Sequence, residues 1–545
     1  MMESASVTLA QFGDDLRCAM MRAPINYAEP EQGELQVALM RVSALKPAPG
    51  NSPAYLGSML LNPGGPGGDG LVLAPLIASR WRTPIPGQKV DSMYQEIAAS
   101  YDLIGFSPRG TGASTLLKCS SDEMEVFANN PAKDRSPQNI AAMLHNARLY
   151  AEACAKNPLT PHINSEATAR DMDLMRHLLG DDKLNYYGAS YGTWLGVWYA
   201  TVFPERVGRM LLAGMVDLEV SLPRTFLLQP MGYQRAFDQV LVHYANRHPE
   251  IFFNRRAIND LARVFPALDV PLQAVVSDVV TGHLGNSKNA IKGILTLVAA
   301  HAVQELIQRN DVQTLVAQER LDEAQALITG ALKEMELVGP TPAGGPPSQD
   351  LPAIARSQAA ALVEGYFEQL RRPTSTVKLK GRAALGYAIS SNDSALGLTQ
   401  AQWIQATDAN ALSYPLAGGL FTGWPGLFWS APSVTRPPLQ RIALNTPLAI
   451  LQTDLDPQTV VEGAERSVAA LSQAGVVLIT GEYSHAPMVP YGKACVDEPI
   501  ARYFLQGQAL PRRTTCTANT LPWDSAVGTD ERAVNRYDFR EGSKS

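Results

Sequence analysis

Short apolar runs that lead into glycine-rich or polar turns constrain the fold of this chain more than any other feature. The clearest runs are residues 58–62, 101–106, 184–187, 207–213, 447–453 and 476–480. Segments with helical periodicity lie between them, such as 167–179, and an additional strand pair is predicted over 17–43. Buried strands that alternate with helices predict an α/β fold with a mostly parallel central sheet and helices on both faces.

The composition indicates a globular protein. The chain has 545 residues, of which 46% are hydrophobic and 18% are charged, with a formal net charge of −6. The hydrophobic share is sufficient for a core, and the acidic balance predicts no nucleic-acid partner. No consecutive apolar run reaches the roughly 18 residues of a membrane span, so none is predicted. The sequence carries no signal for an oligomeric state.

A long helix-rich segment interrupts the alternation of strands and helices. We interpret 219–440 as a helical lid inserted into an α/β core, whose two parts are 1–218 and 441–545. The longest predicted helices of the lid cover 299–337 and 351–371. An insertion of this kind is expected to lie over the carboxyl edge of the sheet, where side chains that follow the strands gather.

The segment Gly188-Ala-Ser-Tyr-Gly192 matches the pattern G-x-S-x-G of a nucleophile elbow. An apolar strand is predicted before it and a helix after it, which is the context that the chemistry requires. A serine on a sharp strand-to-helix turn is exposed to substrate, and the helix amino terminus points at a developing negative charge. Ser190 is therefore the predicted nucleophile, and an ordinary glycine-rich turn is the alternative.

A serine nucleophile needs a base and an acid, which follow it in the order Ser, acid, His in this type of fold. His485 is the only histidine beyond residue 301, and it comes after the run 476–480. The acid is expected after the run 447–453, where Asp454 and Asp456 both qualify. We favour Asp456 because Pro457 restricts the turn beyond it, and Asp454 is the alternative.

The glycine-rich segment 64–70 is predicted to supply part of an oxyanion hole. Its backbone can direct the N–H of Gly65 at a substrate carbonyl oxygen, and the N–H of Tyr191 is the second predicted donor. The letters 65–70 also spell GxGxxG, but no short βαβ unit ending in an acid follows them. We therefore predict neither a dinucleotide nor any other cofactor, and no Cys or His spacing predicts a metal.

The five cysteines allow two short-range disulfides. Cys119 and Cys154 flank one predicted helical stretch, Cys495 and Cys516 flank another, and Cys18 has no obvious partner. Two bridges would suit an oxidising compartment, whereas five reduced cysteines would suit the cytoplasm. The first residues carry acids and no Lys or Arg, so they do not form a secretory signal as written.

Taken with their neighbours, these motifs resemble those of the tripeptidyl-aminopeptidase and prolyl-aminopeptidase group of α/β-hydrolase serine peptidases. The resemblance runs from Cys18 to Cys516 and rests mainly on residues 62–68, 109–112, 185–193, 203–207 and 454–457. It implies an α/β-hydrolase fold, a C-terminal region of the tripeptidyl-aminopeptidase type, and a secreted or periplasmic location. It also implies the same triad, Ser190, Asp456 and His485, and the same oxyanion donors. The chain departs from the group at Ser107 and Ala213, where an Asp is usual.

The first functional hypothesis is a serine exopeptidase that removes short amino-terminal units from peptides through an acyl-enzyme. Such an enzyme must hold a free ammonium group, and the lid acids Asp393, Glu364 and Glu368 are candidates for this contact. The second hypothesis is a carboxylesterase or amidase that uses the same triad on small or hydrophobic acyl compounds. A non-catalytic binding protein on a hydrolase scaffold would require a broken triad, which the sequence does not show.

Overall fold

Six strands of the protein fall where the six apolar runs predict them. The computed structural model describes residues 9–45, 54–83, 90–253, 258–341, 350–372, 374–442 and 448–524. Its strands are β1 (Leu16–Pro24), β2 (Glu34–Val42), β3 (Ser58–Asn62), β4 (Asp102–Phe106), β5 (Lys118–Met124), β6 (Leu184–Ala189), β7 (Val207–Ala213), β8 (Thr376–Lys380), β9 (Leu448–Thr453), β10 (Gly475–Thr480) and β11 (Thr514–Thr517).

Helices occupy most of the connections between these strands. They are α1 (Leu73–Arg82), α2 (Asp91–Ser100), α3 (Pro137–Ala155), α4 (Ser165–Leu179), α5 (Tyr191–Val202), α6 (Leu222–Thr225), α7 (Gln229–Ala236), α8 (His243–Arg247), α9 (Pro249–Phe252), α10 (Val270–Leu284), α11 (Ala290–Ile307), α12 (Asn310–Ala317), α13 (Leu321–Glu334), α14 (Leu351–Arg371), α15 (Arg382–Asn392), α16 (Gln400–Ser413), α17 (Val461–Ala470) and α18 (Ala494–Gln506).

The described residues form one nine-stranded sheet in the order β1-β2-β4-β3-β6-β7-β9-β10-β11. All neighbours from β4 to β11 are parallel, while β1 and β2 pair antiparallel and β2 joins β4 antiparallel. The predicted mostly parallel sheet is therefore confirmed. Because parallel strands end at one edge, the residues after β3, β6, β9 and β10 are brought together there.

Helices cover both faces of this sheet, as the α/β interpretation predicts. Successive strand residues point to opposite faces, so Leu60 of β3 joins one apolar core and Leu61 joins the other. The first core contains residues of α4, α5 and α17, and the second contains residues of α1, α2 and α18. Apolar side chains on both faces explain why the strands consist of uninterrupted hydrophobic runs.

The helix-rich insertion lies between β7 and β9, which are adjacent in the sheet. Most of its helices form a hydrophobic core of their own, in which α11 packs against α10, α13 and α14, while α15 packs into the core of the α/β sheet. We keep the division into 1–218, 219–440 and 441–545 as a proposal, since the insertion carries this separate core. The last part extends beyond the described residues, which end at 524.

The prediction of one long helix over 299–337 is wrong. Three helices, α11, α12 and α13, cover this region, and the chain turns between them. Glu319, between α12 and α13, has a φ of 58°, which is incompatible with a continuous right-handed helix. The apolar periodicity continues across both turns because all three helices pack into the same lid core.

One described segment, Ser287–Ile307, is long and apolar enough to cross a membrane by length and composition alone. The sequence contains no uninterrupted apolar run of about 18 residues. This segment is nevertheless apolar on average over 18 residues, because few polar residues interrupt it. In the structure 83% of its apolar stretch of 18 residues is buried inside the protein. It therefore has the character of a core helix of the lid.

Two disulfides each connect a strand to a helix in the parts of the chain that flank the lid. Cys119 of β5 is bonded to Cys154 of α3, and Cys495 of α18 is bonded to Cys516 of β11. Cys18 lies exposed on the edge strand β1 as a free thiol. The sequence predicts neither β11 nor the small antiparallel sheet that β5 forms with β8 of the lid.

The buried ion pair Arg109–Asp171 connects the turn after β4 to α4, and Arg109 also contacts the end of β1. The guanidinium of Arg109 donates to both carboxylate oxygens of Asp171 at 2.6 and 2.7 Å, and both side chains are 1% exposed. The same guanidinium donates to the carbonyl oxygens of Pro24, Ile25 and His162. Arg109 is thus a structural brace, because all of its donors have protein acceptors.

This pair generates a stability prediction. We expect Asp171→Ala to lower the free energy of unfolding by about 3–5 kcal/mol, because it leaves a buried guanidinium without its counter-charge. As a matched control, Asp14→Ala removes one partner of the solvent-exposed pair Arg17–Asp14 and should change stability little. Denaturant unfolding of both variants checks this, and equal midpoints would contradict it.

Candidate active site

Ser190 forms the sharp turn between β6 and α5. Its backbone has φ 57° and ψ −126°, a positive-φ conformation that a non-glycine residue rarely adopts. The Ser190 N–H donates to the carbonyl oxygen of Ala213, at the end of the neighbouring strand β7. The sequence pattern predicts this strand–turn–helix, and the structure has it.

The turn is possible because residues around it have no side chain. A Cβ on Gly64 would lie 2.3 Å from the carbonyl oxygen of Ala189 and 2.9 Å from the Cβ of Ser190. A Cβ on Gly192 would lie 2.9 Å from the side-chain oxygen of Asn62. The glycine-rich segment after β3 therefore lies directly against the serine turn.

Asp456 and His485 are in contact at the same edge of the sheet. The Nδ1 atom of His485 lies 2.9 and 3.0 Å from the two carboxylate oxygens of Asp456. The histidine is 4% exposed and the aspartate 1% exposed. In this geometry the Nδ1 side of the ring faces the carboxylate, so Nε2 is the ring nitrogen that can act as the base.

The turn after β9 holds Asp456 in place. Its carboxylate accepts from the N–H groups of Gln458 and Thr459 and from the Thr459 hydroxyl, each at 2.8 Å. Thr459 Oγ1 also lies 3.3 Å from His485 Nδ1. Sequence reasoning missed Thr459, although an aspartate that binds N–H groups two and three residues ahead is a common local turn.

The alternative acid, Asp454, has different surroundings. Its carboxylate accepts from the N–H of Gly481 at 2.8 Å, at the end of β10. Burial raises the pKa of Asp454 to about 6, against the lowering effect of its backbone donors. Of the two predicted acids, the structure therefore brings Asp456 to the histidine.

The other ring nitrogen of His485 is available. Nε2 is buried and has no hydrogen-bond partner within the described residues. Among those residues Ser190 Oγ makes no hydrogen bond to it, as is common in free enzymes, where this contact tightens on substrate binding. The residues Ala189 and Ala486, next to the serine and the histidine, line one small apolar cavity.

The two predicted oxyanion donors have free N–H groups. In the described part of the chain, neither the N–H of Gly65 nor that of Tyr191 has an acceptor, whereas the N–H of Gly64 donates to the side-chain oxygen of Asn62 at 2.9 Å. Tyr191 is the first residue of α5, so its N–H belongs to the unsatisfied helix amino terminus. Both groups can donate to a substrate oxygen.

The lid contacts the segments that carry the acid and the histidine. The backbone N–H of His485 donates to the carbonyl oxygen of Gly285, in the turn between α10 and α11. In the same turn, the N–H of Ser287 donates to the hydroxyl of Ser484 at 2.9 Å. Gly232 of α7 lies against the backbone of Pro457. These long-range contacts have no signal in the local sequence.

The three lid acids predicted to bind an amino terminus differ in their surroundings, and the role stays a prediction for Glu364 and Glu368. Glu364 and Glu368 lie on the exposed face of α14. Asp393 is fully buried, and both of its oxygens accept hydrogen bonds from Ser165 and Trp194. Burial raises the pKa of Asp393 to about 7, partly offset by these donors.

The two acids after β9 generate a first activity prediction. We expect Asp456→Asn to lower kcat/KM by about 10³- to 10⁴-fold, because the amide no longer orients and stabilises the charged imidazole. Asp454→Asn should stay within a few-fold of the wild type, since Asp454 bonds to Gly481. Steady-state kinetics on one chromogenic substrate compare the variants, and the opposite ranking would exchange the two roles.

The lid contact at Pro457 generates a second prediction. A Cβ on Gly232 would lie 2.5 Å from the carbonyl oxygen of Pro457, so Gly232→Ala must displace the turn that holds Asp456. We expect a fall in kcat/KM of at least about tenfold, because small displacements of catalytic groups are costly.

The control for this variant is Gly282→Ala in α10, where a Cβ would meet nothing within 4 Å. It tests whether a Gly→Ala change in a lid helix affects activity by itself. Equal activities of the two variants would show that the contact between α7 and Pro457 does not position the acid.

Comparisons with known proteins agree with this architecture. A model of the alpha/beta hydrolase fold matches residues 57–328, and a model described as TAP-like protein matches residues 425–516. The tripeptidyl aminopeptidase of Streptomyces lividans is 26% identical over 93% of this chain and 84% of its own length.

Two relatives from Mycobacterium tuberculosis have different names. Serine protease Hip1 is 33% identical over 41% of this chain and 40% of its own length. Carboxylesterase B is 26% identical over 92% of this chain and 86% of its own length. The predicted fold, family resemblance and serine hydrolase chemistry are confirmed by these matches. The chain belongs to the α/β hydrolase family, among the serine hydrolases related to the tripeptidyl aminopeptidases.

Proposed function

We propose that this protein is a serine exopeptidase that releases short units from the amino terminus of peptides through an acyl-enzyme at Ser190. The pair Asp456–His485 carries the proposal: it leaves a buried, unpartnered Nε2 at the edge of the sheet that holds the serine turn. The relatives named tripeptidyl aminopeptidase, which align with nearly the whole chain, support peptides as substrates.

In the proposed mechanism, Ser190 Oγ attacks the carbonyl carbon of the scissile bond while His485 Nε2 takes its proton. The tetrahedral intermediate then collapses, and the imidazolium gives the proton to the leaving amine. Water attacks the resulting ester by the same route in reverse and restores the free serine. Asp456 orients the imidazole and stabilises its positive charge throughout.

The negative oxygen of the intermediate would be bound by the N–H groups of Gly65 and Tyr191. This proposal is supported by their lack of acceptors in the described structure and by the position of Tyr191 at the start of α5. Preorganised donors of this kind contribute strongly, since loss of one typically lowers the rate by about 100- to 1,000-fold.

An esterase or amidase is the second candidate function. It is favoured by the apolar character of the cavity beside the serine and by the relative named Carboxylesterase B. It is also favoured by Asp393, because this predicted ligand of the amino terminus is buried and bonded to Ser165 and Trp194. The residues that line this cavity include Asn62, Pro63, Leu76, Ala189, Ala486 and Met488.

The two disulfides favour a location outside the cytoplasm, and we propose that the protein is secreted or periplasmic. Disulfides persist in oxidising compartments and are rare among reduced cytoplasmic proteins. Both bridges, Cys119–Cys154 and Cys495–Cys516, lie in the α/β core rather than in the lid.

The decisive experiment compares three chromogenic substrates: a tripeptide anilide with a free amino terminus, its acetylated counterpart, and a short p-nitrophenyl ester. We expect the free anilide to be cleaved at least about tenfold faster than the acetylated one, because an exopeptidase uses the ammonium group for binding. Ser190→Ala should abolish turnover of all three while leaving thermal unfolding unchanged.

Cleavage of the ester with neither anilide touched would replace the peptidase by the esterase. Equal cleavage of both anilides would contradict recognition of the amino terminus. Activity retained in Ser190→Ala would contradict the assignment of the nucleophile itself.

A further inference from the structure

We propose that Asp393 and Ser165 are positioning residues that hold Tyr191, and with it one oxyanion donor, through a buried chain of hydrogen bonds. The chain, called here the Tyr191 clamp, consists of Asp393, Ser165 and the hydroxyl of Tyr191. The inference rests on the proposed function, because it takes the Tyr191 N–H as a donor to the reacting oxygen.

The clamp has a defined direction. The Ser165 hydroxyl donates to Asp393 Oδ2 at 2.5 Å, and the Ser165 N–H donates to Asp393 Oδ1 at 2.8 Å. Since the Ser165 proton is used in this way, the Tyr191 hydroxyl must be the donor in its 2.5 Å contact with Ser165 Oγ. Each polar atom of the clamp is therefore used in one consistent arrangement.

All three members of the clamp are shielded from solvent. Ser165 and Asp393 have no exposed surface, and Tyr191 is 4% exposed. A buried carboxylate without a cation is costly unless donors and dipoles compensate it. Here the compensation comes from Ser165 at the amino terminus of α4 and from the indole N–H of Trp194, which donates to Asp393 Oδ2 at 2.9 Å.

The clamp connects the nucleophile helix to the lid. Tyr191 and Trp194 both belong to α5, and Asp393 directly follows α15 of the lid. The hydroxyl of Tyr191 is thereby fixed from outside its own helix. Tyr191 directly follows the strained Ser190. When the Tyr191 side chain is held in place, the position of the Tyr191 backbone N–H is restricted as well.

The other end of α15 lies against the second oxyanion segment. A Cβ on Gly67 would lie 2.7 Å from the Cβ of Leu385 and 2.9 Å from the carbonyl oxygen of Arg382, so the contact is close. One lid helix therefore contacts the loop of Gly65 at its start and is tied to Tyr191 at its end. Helix α15 is therefore placed to set the distance between the two oxyanion donors, the N–H groups of Gly65 and Tyr191.

The test is a double-mutant cycle with Tyr191→Phe and Ser165→Ala. Both variants remove one hydroxyl of the clamp and leave the Tyr191 backbone N–H in place. We expect each to lower kcat about tenfold with KM unchanged within about twofold, because a displaced oxyanion donor affects the transition state more than bound substrate. The double variant should also lose only about tenfold, since the clamp acts as one unit.

A boronic acid inhibitor provides the second readout, because its tetrahedral adduct with serine places an oxygen in the oxyanion hole. The inhibition constant should rise by the same factor as kcat falls. The matched control is Tyr503→Phe, which removes a buried hydroxyl that contacts the backbone of Met210 in β7. This control should lower thermal stability without changing the inhibition constant.

Three results would overturn the inference. The first is a wild-type kcat in Tyr191→Phe or Ser165→Ala, and the second is a fall in kcat of about a hundredfold in the double variant. The third is a fall in kcat in the control Tyr503→Phe as large as that in Tyr191→Phe. A wild-type protein that cleaves neither anilide nor ester would overturn the proposed function as well. Normal wild-type activity together with normal Tyr191→Phe activity would overturn the clamp alone.

Discussion

The strained turn at Ser190 depends on the close approach of three parallel strands at one edge of the sheet. Strands β3, β6 and β7 are neighbours, so Gly64, Ala189 and Ala213 reach the same edge. A strained residue of this kind costs on the order of 1–3 kcal/mol and persists only where its surroundings determine it. Strand order is thus the physical reason that a serine can be held in this conformation.

The lid takes part in the geometry of the site and does not merely cover it. It contacts the acid turn through Gly232, the histidine segment through Gly285, and the glycine-rich loop through Leu385. The helices that carry Gly232 and precede Gly285 share the lid's hydrophobic core, whereas Leu385 packs into the core of the α/β sheet. A change in lid packing would consequently alter the positions of catalytic groups as well as access to them.

The parts of the fold that follow from local patterns could be predicted from the sequence. Apolar runs predicted the strands of the parallel sheet, and G-x-S-x-G in its strand–helix context predicted the turn at Ser190. The contact of Asp456 with His485 followed from the order of elements.

What could not be predicted depends on residues that are far apart in the chain. Asp393 and Ser165 are 228 positions apart, and without knowledge of their contact Asp393 was interpreted as a candidate substrate ligand. The division of 299–337 into three helices could not be predicted either. All three helices pack into one core, so their apolar residues follow a similar spacing along the chain.

Two buried carboxylates near Ser190 have different partners, and the difference decides what each can do. Asp456 faces an imidazole that gains a positive charge during the reaction, so its own negative charge is used. Asp393 has only neutral donors in the hydrogen bonds that it accepts, and burial raises its pKa to about 7. The structural role of Asp393 depends on its two acceptor oxygens rather than on its charge, because these oxygens bond to Ser165 of α4 and Trp194 of α5. Both oxygens accept hydrogen bonds from neighbouring side chains or backbone, and the carboxylate has no exposed surface, so it is closed to the ammonium group of a substrate.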